Sequence, residues 1–259
     1  MIVDTFINNY IDATLLKENE EREKAHEPSG KLSASMLYMP TRYQIFKLIG
    51  VPKKPMEAYV LGKFKRGNDV EDWYVGQIEK SGALIERQKQ VEYRGCIGFV
   101  DAVCDSNKML FKQGIMPHEV KSVTNMKLKR IATTGTIDWH YQLQACFYAM
   151  AMKSKYYVVD IVSAEELRPN VYIFETATMA REVDKAIDAY EKAVKNWNEK
   201  QLLPAFEENV NVPWINKPEY APYAIEWLEA DDATVFPSKT FPSASIRIRS
   251  EPLTLKANG

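Results

Sequence analysis

Cysteine is scarce in this chain: Cys96, Cys104 and Cys146 are the three in 259 residues. An odd count with no C-x-x-C spacing excludes a disulfide framework and a zinc knuckle, and leaves reduced core residues. Long apolar runs are missing too. None approaches the ~20 residues that cross a bilayer, so no membrane is expected among the partners. The opening, MIVDTFINNYIDATLLKENEE, lacks the basic start and small-residue cleavage site of a secretory signal, and a cytoplasmic setting is the expectation. Net charge is close to zero, at −1, which excludes a uniformly basic coat. No internal repeat stands out.

The charges that are present are unevenly spread. From Arg42 to Arg66 seven basic residues face the single acid Glu57, and Lys127, Lys129 and Arg130 follow one another with no acid between them. Ala205 to Asp232 reverses the balance, with seven acids against Lys217. A polyanion responds to local basic surface rather than to the total.

A hydrophobic share of 46% and a charged share of 27% are those of an ordinary globular protein. At ~150 residues per domain the length allows one domain with appendages. The periodicity divides it into a helical lead (1–32), a principal domain (33–202) and a C-terminal extension (203–259) in which proline and acids are frequent and periodicity fades.

Helical spacing covers Val3 to Leu16, followed by the solvated charge run KENEEREKAHE, and Pro28-Ser29-Gly30 breaks it. Ser33 and Ser35 can cap a helix through Tyr38 to Gly50 that Pro40 interrupts. The next helix is expected from Gly67 to Ser81. Its apolar arc of Val70, Tyr74, Val75 and Ile78 has Glu71 in the middle, and a carboxylate aimed inward needs a partner. Asp69 and Asp72 fall on the solvated side.

Strands are expected over Leu84–Tyr93, Cys96–Asp105, Ile115–Val123, Tyr156–Ser163 and Val171–Glu175. The basic segment NMKLKRIATTG then leads to a cap at Asp138 and a helix over Trp139–Lys153. A last helix, Thr178–Lys200, buries Val183, Ile187, Tyr190, Val194 and Trp197. The order of helices and strands is that of an α/β core.

The chemistry concentrates between Gly98 and Ser122. Asp101 stands near the end of one strand, and Glu119 and Lys121 share one face of another while Val120 points away. If the two strands are neighbours, two carboxylates and one ammonium converge. Such a cluster is costly unless a cation bridges the acids, and oxygen ligands suit a hard metal such as Mg²⁺ or Mn²⁺. By the same alternation His118 points to the opposite face, in a structural role. His140, in the first turn of its helix, is assigned none.

Asp101, then Glu119-Val120-Lys121, then a glutamine-bearing helix at Tyr141-Gln142-Leu143-Gln144, resemble the PD-(D/E)xK nuclease superfamily, with the nearest likeness to its RecB-like and phage exonuclease branch. The resemblance spans about Ser33 to Val162. It implies a restriction-endonuclease-like α/β fold, a mixed central sheet flanked by helices. It implies a Mg²⁺-dependent DNA exonuclease in which Asp101, Glu119 and the Val120 carbonyl hold the metal. Glu71, in Gly67-Asn-Asp-Val-Glu71, assists, and Lys121 acts on the attacking water. Gln142 is the favoured glutamine of the α-helix, although the Q-x-x-x-Y spacing fits Gln144 with Tyr148, and about 200° separates the two.

Arg42 would contact DNA phosphate, with Lys127, Lys129 and Arg130 as further DNA-binding residues. Phage or mobile-element recombination or replication is the implied setting, in a bacterium or a phage-infected host, with a recombination or single-strand-annealing protein as a possible partner. CRISPR-associated members of the branch build an iron–sulfur cluster from a cysteine near that arginine and three more near the C-terminus. No cysteine precedes Cys96 or follows Cys146 here, so no iron–sulfur cluster is expected. Two other readings remain open at this point: an endonuclease, restriction-type or junction-resolving, and a non-catalytic DNA-binding or assembly protein.

Overall fold

In the computed structural model of the chain the described residues are 5–25, 30–48, 51, 55–200, 204, 235–237 and 245–247. Most of the extension, the acidic run within it, Lys53 and Lys54, and the break at Pro28-Ser29 lie outside them.

A five-stranded mixed sheet in the order β1-β2-β3-β4-β5 organises the chain. β1 (Leu84–Tyr93) and β2 (Cys96–Asp105) form a hairpin closed by Arg94 and Gly95, at φ 49° and 74°. Two positive-φ residues make the turn that matches strand twist, a conformation Gly95 adopts freely and Arg94 does not. Ion pairs from Arg94 to Asp184 (3.3 Å), Asp188 (2.6 Å) and Glu191 (2.8 Å) hold it there.

β3 (Ile115–Val123) runs antiparallel to β2, but only Ala102–Asp105 pair with Ile115–His118. From His118 onward β3 pairs in parallel with β4 (Tyr156–Ser163), which pairs antiparallel with β5 (Pro169–Glu175). Parallel pairing needs a crossover. Two helices make it, α4 (Asn125–Thr134) and α5 (Trp139–Met152).

Apolar side chains alternate to both faces of the sheet. One face packs against α5, α2 (Thr41–Leu48) and α6 (Ala180–Lys200), burying Phe46, Phe147, Tyr157, Ile161 and Trp197. The other packs against α3 (Ala58–Lys80) through Val70, Tyr74, Val75, Ile78 and Val120. α1 (Phe6–Ala25) buries none of its side chains. It lies along α3, with Leu15 Cδ1 3.7 Å from where a Cβ on Gly62 would stand. Two three-residue strands, β6 (Val235–Pro237) and β7 (Ser245–Arg247), pair within the C-terminal segment.

The α/β core and all five expected strands are present, and the structure departs from expectation in four places. α3 starts at Ala58, nine residues before Gly67, because Ala58–Arg66 packs against α1. The basic segment after Val123 is a helix in its own right, α4, with the Thr124 hydroxyl accepting from the Lys127 amide and Gly135 closing it at φ 66°. Pro40 precedes α2 rather than interrupting a longer helix, and Ala34–Met36 form a separate 3₁₀ turn. Asp138 does not cap α5 with its side chain; its carboxylate is taken by Lys127. Among the described residues no helix is long and apolar enough to cross a membrane.

Candidate active site

The pairing of β2 with β3 stops at Ala102 and His118, and the next residues in register, Asp101 and Glu119, stand where the strands part. Asp101 Oδ2 accepts a hydrogen bond from the Val120 amide at 2.8 Å. In a strand the N–H and C=O of one residue lie on the same side, so the Val120 carbonyl faces the gap that its amide faces. Glu119 is fully buried, and Lys121, half-buried on the same face, places its ammonium against Glu119 Oε1. The three residues expected to meet do meet.

Glu71 reaches the site from α3, half-buried and lining the same groove as Val120 and Lys121. Its Oε1 accepts from Gln88 Nε2 at 2.8 Å. The sequence reading missed Gln88. Pairing of Arg87 with Ala102 and of Lys89 with Val100 leaves it opposite Asp101, whose carboxyl it also hydrogen-bonds. Its backbone sits at φ 48°, a conformation rare outside glycine and one that turns its amide out of the strand's alternation. That backbone geometry is the identifying feature, and residue type alone does not announce it.

The helix α5 covers the acids. Tyr148 packs so tightly on β2 that a Cβ on residue 98 would fall 2.5 Å from its Cε1, so Gly98 is what admits the ring. Gln144 Nε2 donates to Tyr148 Oη at 2.7 Å and Gln144 lines the groove. Gln142 instead donates to the Ile137 carbonyl at 3.0 Å, securing the start of its own helix. Of the two registers, the structure therefore places Gln144, not the favoured Gln142, at the site.

The electrostatics have one theme. Burial pushes the Glu119 carboxyl up to about 8, with repulsion from Asp101 added. Burial and Asp101 push Glu71 to about 7, and burial raises Asp101 as well. Lys121 is pulled down by burial, but Glu119 and Asp101 outweigh this and hold its ammonium above the ordinary lysine range. Three carboxyls share one ammonium, which lies against the fully buried Glu119 Oε1.

A divalent cation would reverse all three carboxyl shifts, and an all-oxygen donor set suits a hard one. The residues fit such an ion in chemistry. Among the described residues no three acidic, histidine or cysteine side chains are already gathered into a closed cage, and Glu71 is drawn toward Gln88 instead.

The proposed DNA-binding residues divide. Arg42 is buried, donates to the Pro204 carbonyl at 3.0 Å and lies 5.6 Å from the Phe46 ring, so it anchors the chain inside rather than meeting a phosphate. Lys127 is committed to Asp138 (2.5 Å) and Tyr141 (3.3 Å). Lys129 and Arg130 are exposed on α4, Arg130 3.6 Å from Asp138.

His118 faces away from the acids, as alternation requires. Its Nδ1 lies 2.7 Å from Asp160, which also accepts from the Tyr74 hydroxyl at 3.0 Å. His140 is buried between Tyr38 and Tyr141, ring centroids 5.0 and 4.2 Å away, and burial pushes it down to about 4. The three cysteines are free and buried.

No protein-family model matches the sequence, and no curated protein resembles it significantly. Among solved structures, an alkaline exonuclease from Laribacter hongkongensis is similar at 13% identity and a TM-score of 0.47, over 63% of this chain and 87% of that one. The same exonuclease in complex with dAMP gives 15% and 0.45, over 66% and 93%. A phage-related exonuclease from Haemophilus somnus gives 14% and 0.43, over 62% and 92%.

Proposed function

We propose that this chain is a divalent-metal-dependent DNA exonuclease of the PD-(D/E)xK kind, with residues 33–202 as its catalytic unit. The observation that carries the reading is the meeting of Asp101, Glu119 and Lys121 at the fork between β2 and β3, with the Val120 backbone open to the same gap. Mg²⁺ or Mn²⁺, held by Asp101, Glu119 and the Val120 carbonyl with Glu71 directly or through water, would neutralise the phosphate and acidify a water.

The protein's own groups do the rest. Lys121, fixed against Glu119, presents an ammonium where the attacking water and the negative charge developing on the phosphoryl oxygens would lie. Tyr148 closes the site from above and keeps bulk water from the buried Glu119. Gln144 holds the Tyr148 hydroxyl and leaves its carbonyl to orient a water. Lys129 and Arg130, on the crossover helix, supply surface charge for the phosphate backbone.

The test is incubation with linear and with covalently closed circular duplex DNA, each with Mg²⁺ or with EDTA. Loss of linear DNA alone, with Mg²⁺ only, is expected. Nicking of circles would make the protein an endonuclease, and no cleavage of either would refute the reading.

A further inference from the structure

Glu71, Asp101 and Glu119 bring three negative charges to the fork, and Lys121 brings one positive charge. The charges around them cancel in pairs: Asp72 with Arg87 at 2.6 Å, Glu86 with Lys89 at 2.5 Å and, on the far face of the sheet, Asp160 with His118 at 2.7 Å. The net of minus two is what a single divalent cation neutralises. A second one would leave surplus positive charge in a partly buried site, and a bound phosphodiester would return only half of it.

Gln88 joins two of those acids. Its Nε2 donates to Glu71 Oε1 at 2.8 Å, and its amide also donates to Asp101. A primary amide has two N–H donors, enough to serve both carboxylates at once without adding charge. On either side of it β1 carries a cation, Arg87 and Lys89, and both are turned to other acids. The residue that meets the site from β1 is therefore the neutral one, whereas an ammonium in its place would neutralise the acids and oppose a metal.

The backbone is bent to make this contact. Gln88 is exposed on an edge strand and sits at φ 48°, so packing does not demand a conformation that is costly for any residue with a Cβ. Across from it β2 changes face. Val100 lies in the core beneath α5, whereas Ala102, two residues on and due on the same side, lies in the core beneath α3. Strand irregularities next to active sites re-aim side chains. Here both strands deviate at one rung, and the result is an amide directed at Glu71 and Asp101.

From this we infer that Gln88 is a positioning residue that takes the place of a second cation, bridging Glu71 to Asp101 so that the site holds one divalent ion rather than a pair. The inference rests on the nuclease reading and goes beyond it by fixing the number of ions and the part of Glu71. Tethered to the amide, Glu71 meets the ion through water.

The test counts bound Mn²⁺ on the full chain, with the metal alone, by titration calorimetry and electron paramagnetic resonance. Wild type should bind one ion per chain and give the signal of isolated Mn²⁺. Gln88→Glu keeps the shape, removes the N–H donors and adds a negative charge; it should bind two ions and give the spin-coupled signal of a pair. Gln88→Gly keeps the left-handed backbone without strain and leaves Glu71 untethered; it should still bind one ion, roughly 10- to 100-fold more weakly. A pair, or no ion, in the wild type overturns the inference, as does a single ion in folded Gln88→Glu or wild-type affinity in Gln88→Gly. Should the extra carboxylate keep Gln88→Glu from folding, the wild-type count and Gln88→Gly decide. Failure of the nuclease reading is separate, since it would appear as absence of Mg²⁺-dependent DNA cleavage by the wild type while the ion count stays readable.

Discussion

Acidification should loosen this fold through His140, and by an amount that the structure sets. The imidazole is buried between Tyr38 and Tyr141, and desolvation lowers it from 6.5 to about 4. Asp138 opposes that shift, while Lys127 and Lys121 reinforce it. Because the folded-state value lies below the unfolded one, the unfolded chain binds a proton that the folded chain refuses throughout that window. Stability is therefore intact above pH ~6.5 and declines as the pH falls toward ~4. At pH 4.5 the loss from this group is about 2 to 3 kcal/mol.

Urea denaturation of wild type and of His140→Phe, each at pH 7.5 and 4.5, isolates it. Phenylalanine keeps the ring stack and does not titrate. The wild type should lose about 2 to 3 kcal/mol more than the variant between the two pH values. Equal losses would show that His140 is hydrated or paired in the folded protein and would refute the reasoning.

Lys121→Met should cut turnover at least 100-fold while oligonucleotide binding stays within about threefold, measured by single-turnover cleavage and anisotropy. Gln144→Ala should lower kcat/KM more than Gln142→Ala does, whereas Gln142→Ala should instead cost about 1 kcal/mol of stability through the lost bond to Ile137. Gly98→Ala should destabilise by about 1 to 3 kcal/mol, read from urea midpoints, because its Cβ and the Tyr148 ring cannot share the space. Arg42→Ala should lower stability and leave the salt slope of DNA binding unchanged, since the guanidinium is internal.

The strands were legible because β-branched and aromatic runs bounded by turns carry a period of two, and that period placed Glu119 and Lys121 on one face and His118 on the other. α4 was missed although both of its end signals, Thr124 and Gly135, stand in the sequence. The positive charge between them drew attention to binding instead, and Lys127 proved to be committed to Asp138. The start of α3 depended on packing against α1, which no local pattern reveals.

Arg42 looked like a surface cation because type alone cannot report burial. The choice between Gln142 and Gln144 turned on a helix rotation of about 200°, decided by which side of α5 meets β2. Gln88 was invisible because its importance lies in a left-handed backbone at one position of an otherwise ordinary strand.

Mn²⁺ binding followed by electron paramagnetic resonance tests the central claim most directly. One tight Mn²⁺ site is expected in the wild type and its loss in Asp101→Asn and in Glu119→Gln, with circular dichroism unchanged in both. Wild-type Mn²⁺ affinity in either folded variant would contradict it.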